Sequence, residues 1–168
     1  MLLLSVIDYR LYLIPDEAVI GIALLGILAA GIKFYYQDLI NWQSSFVGNY
    51  AMLVALPVNL FWSHVIAGIV GLLFFGLIFT VTKGRGMGFG DVKLAGALGL
   101  LLGWPDSVLS FALSFVIGSV GGLLLMFLGR KKFRQPIPFG PYLIAGVFIT
   151  VFFGFQIVDG YFKLFGIL

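Results

Sequence analysis

Between Leu39 and Thr82 the chain carries no lysine, arginine, aspartate or glutamate, and further long apolar runs follow it towards the C-terminus. A segment of that kind constrains the fold more than any motif does. A helix needs about 20 apolar residues to cross the hydrocarbon of a bilayer, and stretches of this length have no place on a water-facing surface. The composition agrees: 61% of the residues are hydrophobic and 10% are charged, against roughly 45–50% and about 25% in soluble domains. The expected fold class is therefore all-α, a polytopic membrane helical bundle. An ordinary soluble enzyme, a nucleic-acid-binding protein and a secreted disulfide scaffold are excluded. Zero cysteines remove disulfides, thiolate chemistry and cysteine zinc sites, and one histidine cannot build a His-rich metal centre.

Reading along the chain predicts about six membrane segments, the first of them truncated. Met1–Ile7 is too short to cross alone. Ala18–Ile32, extended to Tyr36, makes the next crossing. Asn41–Asn49 reads as an exposed interfacial loop, and Tyr50–Trp62, with Pro57 and Asn59, as an interfacial or re-entrant helix. His64–Val81 is a full crossing, Leu94–Trp104 a short apolar helix, and Ser107–Gly129 and Leu143–Val158 are the last two spans. Asp159–Leu168 is expected as an amphipathic tail. Gly118 and Gly122 have the small-xxx-small spacing of packed membrane helices. His64 is expected to be a satisfied interfacial histidine, and the three tryptophans an aromatic belt.

Charge placement gives an orientation. Arg10, Lys83, Arg85, Lys93, Arg130, Lys131, Lys132 and Arg134 fall at three breaks that share one side if the spans alternate, while Lys33 and Lys163 fall on the other. The basic side is expected to be cytoplasmic.

Acids next to apolar segments are costly and suggest function by default. Asp8 follows the apolar MLLLSVI, and Asp91 follows Gly86-Met87-Gly88-Phe89-Gly90 and opens an apolar helix. The predicted topology puts both at cytoplasmic ends of spans, at similar depth. Two carboxylates held a few ångströms apart cannot both ionise readily, so one keeps a proton. The ionised member can then take a proton from water while the protonated one donates to a scissile carbonyl, with no metal or cofactor required. Each acid alone also fits a solvated boundary residue or helix cap, Asp91 pairing with Lys93 or Arg85 and Asp8 with Arg10. Gly86, Gly88 and Gly90 are expected to give the backbone beside Asp91 unusual freedom and let an extended peptide approach.

The string from Gly86 to Leu94, GMGFGDVKL, resembles the GxGD signature of the type IV prepilin peptidases, which are membrane-embedded aspartic proteases. Ile7-Asp8-Tyr9-Arg10 followed by Leu13-Ile14-Pro15-Asp16 resembles that family's other signature, and Pro138-Phe139-Gly140-Pro141-Tyr142 its PFGP stretch. The resemblance covers essentially the whole chain. It implies a membrane aspartic endopeptidase that removes the basic leader of prepilin or pseudopilin precursors at the cytoplasmic face of the plasma membrane. It matches Asp8 and Asp91 to the catalytic pair, and Gly88 and Gly90 to the motif glycines. Asp16 matches the acid of the I-P-D turn, with a capping or loop role expected. Lys93 matches a family lysine, read either as balancing the charge of Asp91 or as touching anionic lipid. Asp16 and Glu17 are the acids available to attract a basic leader. No cofactor is implied, and the expected partners are the precursor substrates and membrane lipid, with no nucleic acid. Residues 1–168 are expected to form one membrane-embedded domain. Long members carry a CxxC zinc domain for which this chain has no cysteines, so their N-methyltransferase activity is not expected here. Rival readings are an inactive relic or assembly partner, a small proton-coupled carrier, and another GxGD protease cutting within membrane spans.

Overall fold

The computed structural model describes residues 8, 14–35, 45–51, 59–84, 87–128 and 139–166. Among the described residues the helices with defined bounds are α1 (Asp16–Tyr35), α2 (Leu60–Thr82), α3 (Phe89–Leu102), α4 (Asp106–Phe127) and α5 (Gly140–Leu164), with a 3-10 turn at Gly48–Tyr50. The all-α class holds. Among the described residues four helices, α1, α2, α4 and α5, are long and apolar enough to cross a membrane, fewer than the six segments expected. The shortfall has a geometric reason: α3 has 14 residues, about 21 Å at 1.5 Å per residue, too little for a crossing. The predicted first segment, residues 1–7, lies outside the described residues, as do residues 52–58 of the expected re-entrant helix.

Several boundaries differ from expectation. Helix α2 starts at Leu60, so residues 60–62, expected in a separate re-entrant helix, belong to the span, and α5 starts at Gly140 rather than Leu143. Helix α3 starts at Phe89 rather than Leu94, which places Asp91 inside its first turn. Helix α5 runs unbroken through Asp159, where a separate tail was expected. The Lys163 ammonium bridges Asp159 at 2.8 Å one turn away, so the acid is accommodated as an i,i+4 pair.

Helix α3 is the centre of the bundle. Its buried residues, Asp91, Val92, Leu94 to Gly99 and Leu102, point in all directions, as expected of a helix enclosed on every side. It runs antiparallel to α2, with Val92 level with Gly76, Gly96 against Leu72, and Gly103 beside His64. Lipid offers helices no hydrophobic drive to associate, so packing depends on close backbone approach at small residues. A Cβ on Gly99 would sit 2.7 Å from the Ala67 carbonyl carbon, and one on Gly26 would sit 2.8 Å from the Leu100 carbonyl carbon. Thus α2 and α1 both press on the last turns of α3. By contrast the outward faces of α1 and α2, with Leu24, Leu28, Leu73 and Leu77 more than half exposed, are left to lipid. On the other side Gly118 packs against Phe139, as its spacing predicted. Phe139 also lies 6.0 Å from Phe75 and 5.1 Å from Phe115, ring centre to ring centre. This aromatic cluster fixes the start of α5 beside the start of α3.

Candidate active site

Asp91 is the third residue of α3. Its Oδ2 accepts the Gly88 N–H at 3.2 Å, so one carboxylate oxygen caps its own helix. The other oxygen, Oδ1, is buried and has no hydrogen-bond partner among the described residues. Asp8 is 3% exposed, and its Oδ2 is likewise buried without a partner. The two meet at Gly140, the first residue of α5. A Cβ placed there would overlap Asp8 Oδ2, lie 3.1 Å from Asp8 Cγ and lie 3.3 Å from Asp91 Oδ1. Two carboxyl groups separated by more than 80 positions in sequence therefore share one small volume, closed on its third side by a glycine.

Burial raises the pKa of Asp91 first, and the negative charge of Asp8 raises it further, to about 6. The Gly88 N–H, bonded to Oδ2, opposes that shift, as do the Gly140 and Phe139 N–H groups, which face the acid without completing a hydrogen bond. Burial also raises Asp8, against a lowering contribution from the Gly140 N–H. The start of α5 faces the pair with its unsatisfied N–H groups and the positive end of its dipole. That is the right end of a helix to hold a negative charge between two acids.

The other residues singled out by sequence sit as follows. Lys93 does not pair with Asp91. Its ammonium contacts Asp16 Oδ1 at 2.8 Å and lies 5.2 Å above the Phe89 ring. It therefore ties the start of α3 to the start of α1, and the expected charge-balancing of Asp91 is not what the geometry shows. Asp16 is the first residue of α1 and Glu17 beside it is exposed. Gly88 has φ −75° and ψ 153°, a conformation open to any residue, so its expected unusual freedom is corrected. A Cβ at Gly90 would meet Ile14 Cβ at 3.3 Å; there the glycine serves close approach of the segment preceding α1. Gly86, Arg85 and Arg10 lie outside the described residues.

Two features were not foreseen. The PFGP stretch carried a resemblance but no physical role, and Gly140 gives it one. At the opposite end of the bundle Asp106, not singled out from sequence, accepts from Ser45 Oγ at 2.6 Å and from the Val47 and Phe46 backbone N–H groups at 3.2 and 3.3 Å. It holds the segment before the Gly48–Tyr50 turn onto the start of α4 and leaves Val47 buried, which corrects the exposed loop expected over Asn41–Asn49 for its described part. Its partners lie about 60 positions away, beyond any local pattern.

Residues 1–123 match the type IV leader peptidase family. Three similar proteins all bear the name prepilin leader peptidase/N-methyltransferase. The one from Burkholderia pseudomallei strain 1026b is 43% identical over 94 residues, 54% of this chain and 30% of its own. The one from Pseudomonas aeruginosa is 30% identical over 167 residues, 99% of this chain and 51% of its own. The one from Stutzerimonas stutzeri is 29% identical over 161 residues, 96% of this chain and 49% of its own. The chain thus spans about half the length of those two relatives, or less of the first. No solved structure matches. With the matched residues containing both Asp8 and Asp91, and with four span-length helices around them, the chain belongs to the type IV leader peptidase family.

Proposed function

We propose that this chain is a membrane aspartic endopeptidase that cleaves the basic leader from prepilin-like precursors, with Asp8 and Asp91 as its catalytic pair. The observation that carries the reading is the meeting of two buried carboxylates at Gly140, each with an oxygen that has no hydrogen-bond partner among the described residues. Asp91, with the pKa of about 6, holds the shared proton, and Asp8 acts as base. Asp8 takes a proton from a water molecule as that water's oxygen attacks the scissile carbonyl carbon. Asp91 gives its proton to the carbonyl oxygen. Collapse of the tetrahedral gem-diol breaks the C–N bond: the departing amine takes the proton held by Asp8, and the hydroxyl that re-forms the carbonyl returns its proton to Asp91. The Phe139 and Gly140 N–H groups stabilise the charge left on the carboxylates. Two acids buried together with raised pKa values weigh against an inactive relic, because a site released from catalysis has no reason to keep that cost.

The test is purified protein reconstituted in liposomes with a prepilin-type precursor bearing a basic leader. Release of leader, with the cut before the hydrophobic segment, is the expected result. Failure to cleave prepilin-type and pseudopilin-type precursors alike overturns the reading.

The active site is oriented towards the cytoplasm of the inner membrane in this reading, supported by the excess of bases at the breaks on that side. The kcat/KM profile reports the free enzyme's ionisations. A carboxyl with a raised pKa keeps its proton at low pH and loses it as pH climbs through about 6. Cleavage is therefore expected to decline above that pH, by up to tenfold per unit. A flat profile from pH 5 to 8 would remove the shared proton from the mechanism.

Asp16 and Glu17 stand at the same end of the bundle as the pair. Asp16 is engaged by Lys93, so Glu17 is the freer acid for a basic leader. Reversing that acid alone, Glu17→Lys, should raise KM for a basic-leader precursor several-fold and leave a neutral-leader precursor unchanged. Equal effects on both substrates would rule out leader recognition here.

A further inference from the structure

At the end of the bundle away from the two aspartates, His64 of α2 is 2% exposed and lies between two groups of fixed hydrogen-bonding character. Its Nδ1 is 2.9 Å from the Leu100 carbonyl oxygen, which can only accept. Its Nε2 is 3.3 Å from Lys33 Nζ, and an ammonium can only donate. Both contacts are satisfied in one state alone: neutral imidazole, with the proton on Nδ1 and the lone pair of Nε2 accepting from Lys33. Lys33 therefore selects the tautomer that bonds Leu100.

Leu100 is in the last turn of α3, where the final carbonyls have no partner within the helix. The His64 ring also fills the space beyond that turn. Gly103 has φ +79°, and a Cβ there would lie 2.9 Å from both ring atoms Cε1 and Nε2. The Trp104 N–H donates to the Ser63 carbonyl at 3.3 Å. The end of α3 is thus clasped by consecutive residues of α2, over a stretch where Gly26 of α1 presses from another side. Asp91 lies nine residues up the same helix, roughly 14 Å at 1.5 Å per residue. A helix enclosed all round moves as a rod, so a slip along its axis at Leu100 arrives undiminished at Asp91. A displacement of about 1 Å in a catalytic group can cost about 100-fold in rate.

We infer that His64 is a positioning residue for the aspartate pair: through its bond to Leu100 it sets the axial register of α3, and so the placement of Asp91 against Asp8. This rests on the peptidase reading for its effect on rate, and on packing alone for its effect on α3.

Two substitutions separate the bond from mere bulk. In His64→Asn the side-chain nitrogen takes the place of Nδ1 and keeps the donation to Leu100. In His64→Gln the polar group reaches towards the place of Nε2 and meets Lys33 instead. In the liposome assay, per folded molecule, His64→Gln should lower kcat by 10- to 100-fold with KM little changed. It should also shift the alkaline limb of the pH profile, because the coupling between the two carboxyls changes with their separation. His64→Asn should stay within a few-fold of the parent protein on both counts. Hydrogen exchange of the 89–103 amides, which needs no substrate, should be faster in His64→Gln than in His64→Asn. Equal behaviour of the two variants overturns the inference. So does a loss of activity that only tracks the amount of folded protein, with an unmoved pH limb. Should the parent protein cleave no precursor, the peptidase reading falls, and exchange decides the register role: parent-like protection in His64→Gln overturns it.

Discussion

Asp91→Asn is expected to abolish leader cleavage, by at least about 1,000-fold in kcat, while making the folded protein more stable at neutral pH. The first half follows from the mechanism: asparagine can neither give nor hold the proton that Asp91 passes to the scissile carbonyl, and positioned acid–base catalysis alone contributes about 100- to 10,000-fold. The second half follows from linkage. The carboxyl pKa is raised from 3.8 to about 6 in the folded chain, so the folded state binds the proton more tightly than the unfolded state. Stability is then favoured at low pH and is lost as pH rises from about 4 to 6. Two pKa units correspond to roughly 3 kcal/mol, an upper figure for what the ionised acid costs above that window. Asparagine does not ionise, can keep the bond from Gly88, and places an N–H where it can meet the unsatisfied Asp8 oxygen. Thermal unfolding of both proteins at pH 4.5 and pH 7.5 checks this: the stabilisation should be large at the higher pH and small at the lower. Substantial residual cleavage removes Asp91 from the chemistry, and destabilisation at pH 7.5 contradicts its burial as a strained acid.

Gly140→Ala should be nearly as severe for activity, by a different route. The backbone at Gly140 is one that alanine adopts without strain, since no positive φ is involved, and α5 should form normally. The added methyl instead occupies the space of Asp8 Oδ2 and touches Asp91 Oδ1. The carboxyl pair must separate to admit it, and loss of about 100-fold or more in kcat is expected. The pH limb should move towards lower values, because parting the acids weakens the repulsion that raises the pKa of Asp91. Cleavage within a few-fold of the parent protein would show that the pair is not held at this glycine. The same loss with an unmoved limb would place the damage elsewhere.

How much of this was legible in advance differs from residue to residue. The membrane class followed from apolar length, which local composition carries in full. Asp8 and Asp91 stood out because acids beside apolar runs are scarce, and the shared side followed from counting alternating spans. Gly140 was visible as part of a motif yet silent about its role, since nothing local says that the start of α5 abuts two distant carboxylates. The readings of Lys93 and Gly88 erred for a related reason. One of the two readings of Lys93, and that of Gly88, went through the neighbour Asp91, whereas Lys93 turns to Asp16 on another helix and Gly88 adopts ordinary backbone angles. His64 was expected to be satisfied, and it is. What pattern could not give was the identity of its partners, which come from α1 and α3.

On the peptidase reading, the shortness of α3 has a bearing on which precursors can reach the acids. Val92 is level with Gly76 of α2, and α2 continues to Thr82. Six more residues of helix rise roughly 9 Å beyond the acids, so the pair is recessed below the rim formed by its longer neighbour. An extended peptide advances about 3.3 Å per residue. On the peptidase reading, a precursor must therefore present about three unwound residues on the leader side of the cut before its bond reaches the acids. On that reading the end of α2 would act as a depth gauge, holding off a precursor whose helix stays wound up to the cut site, however well its leader charge matches.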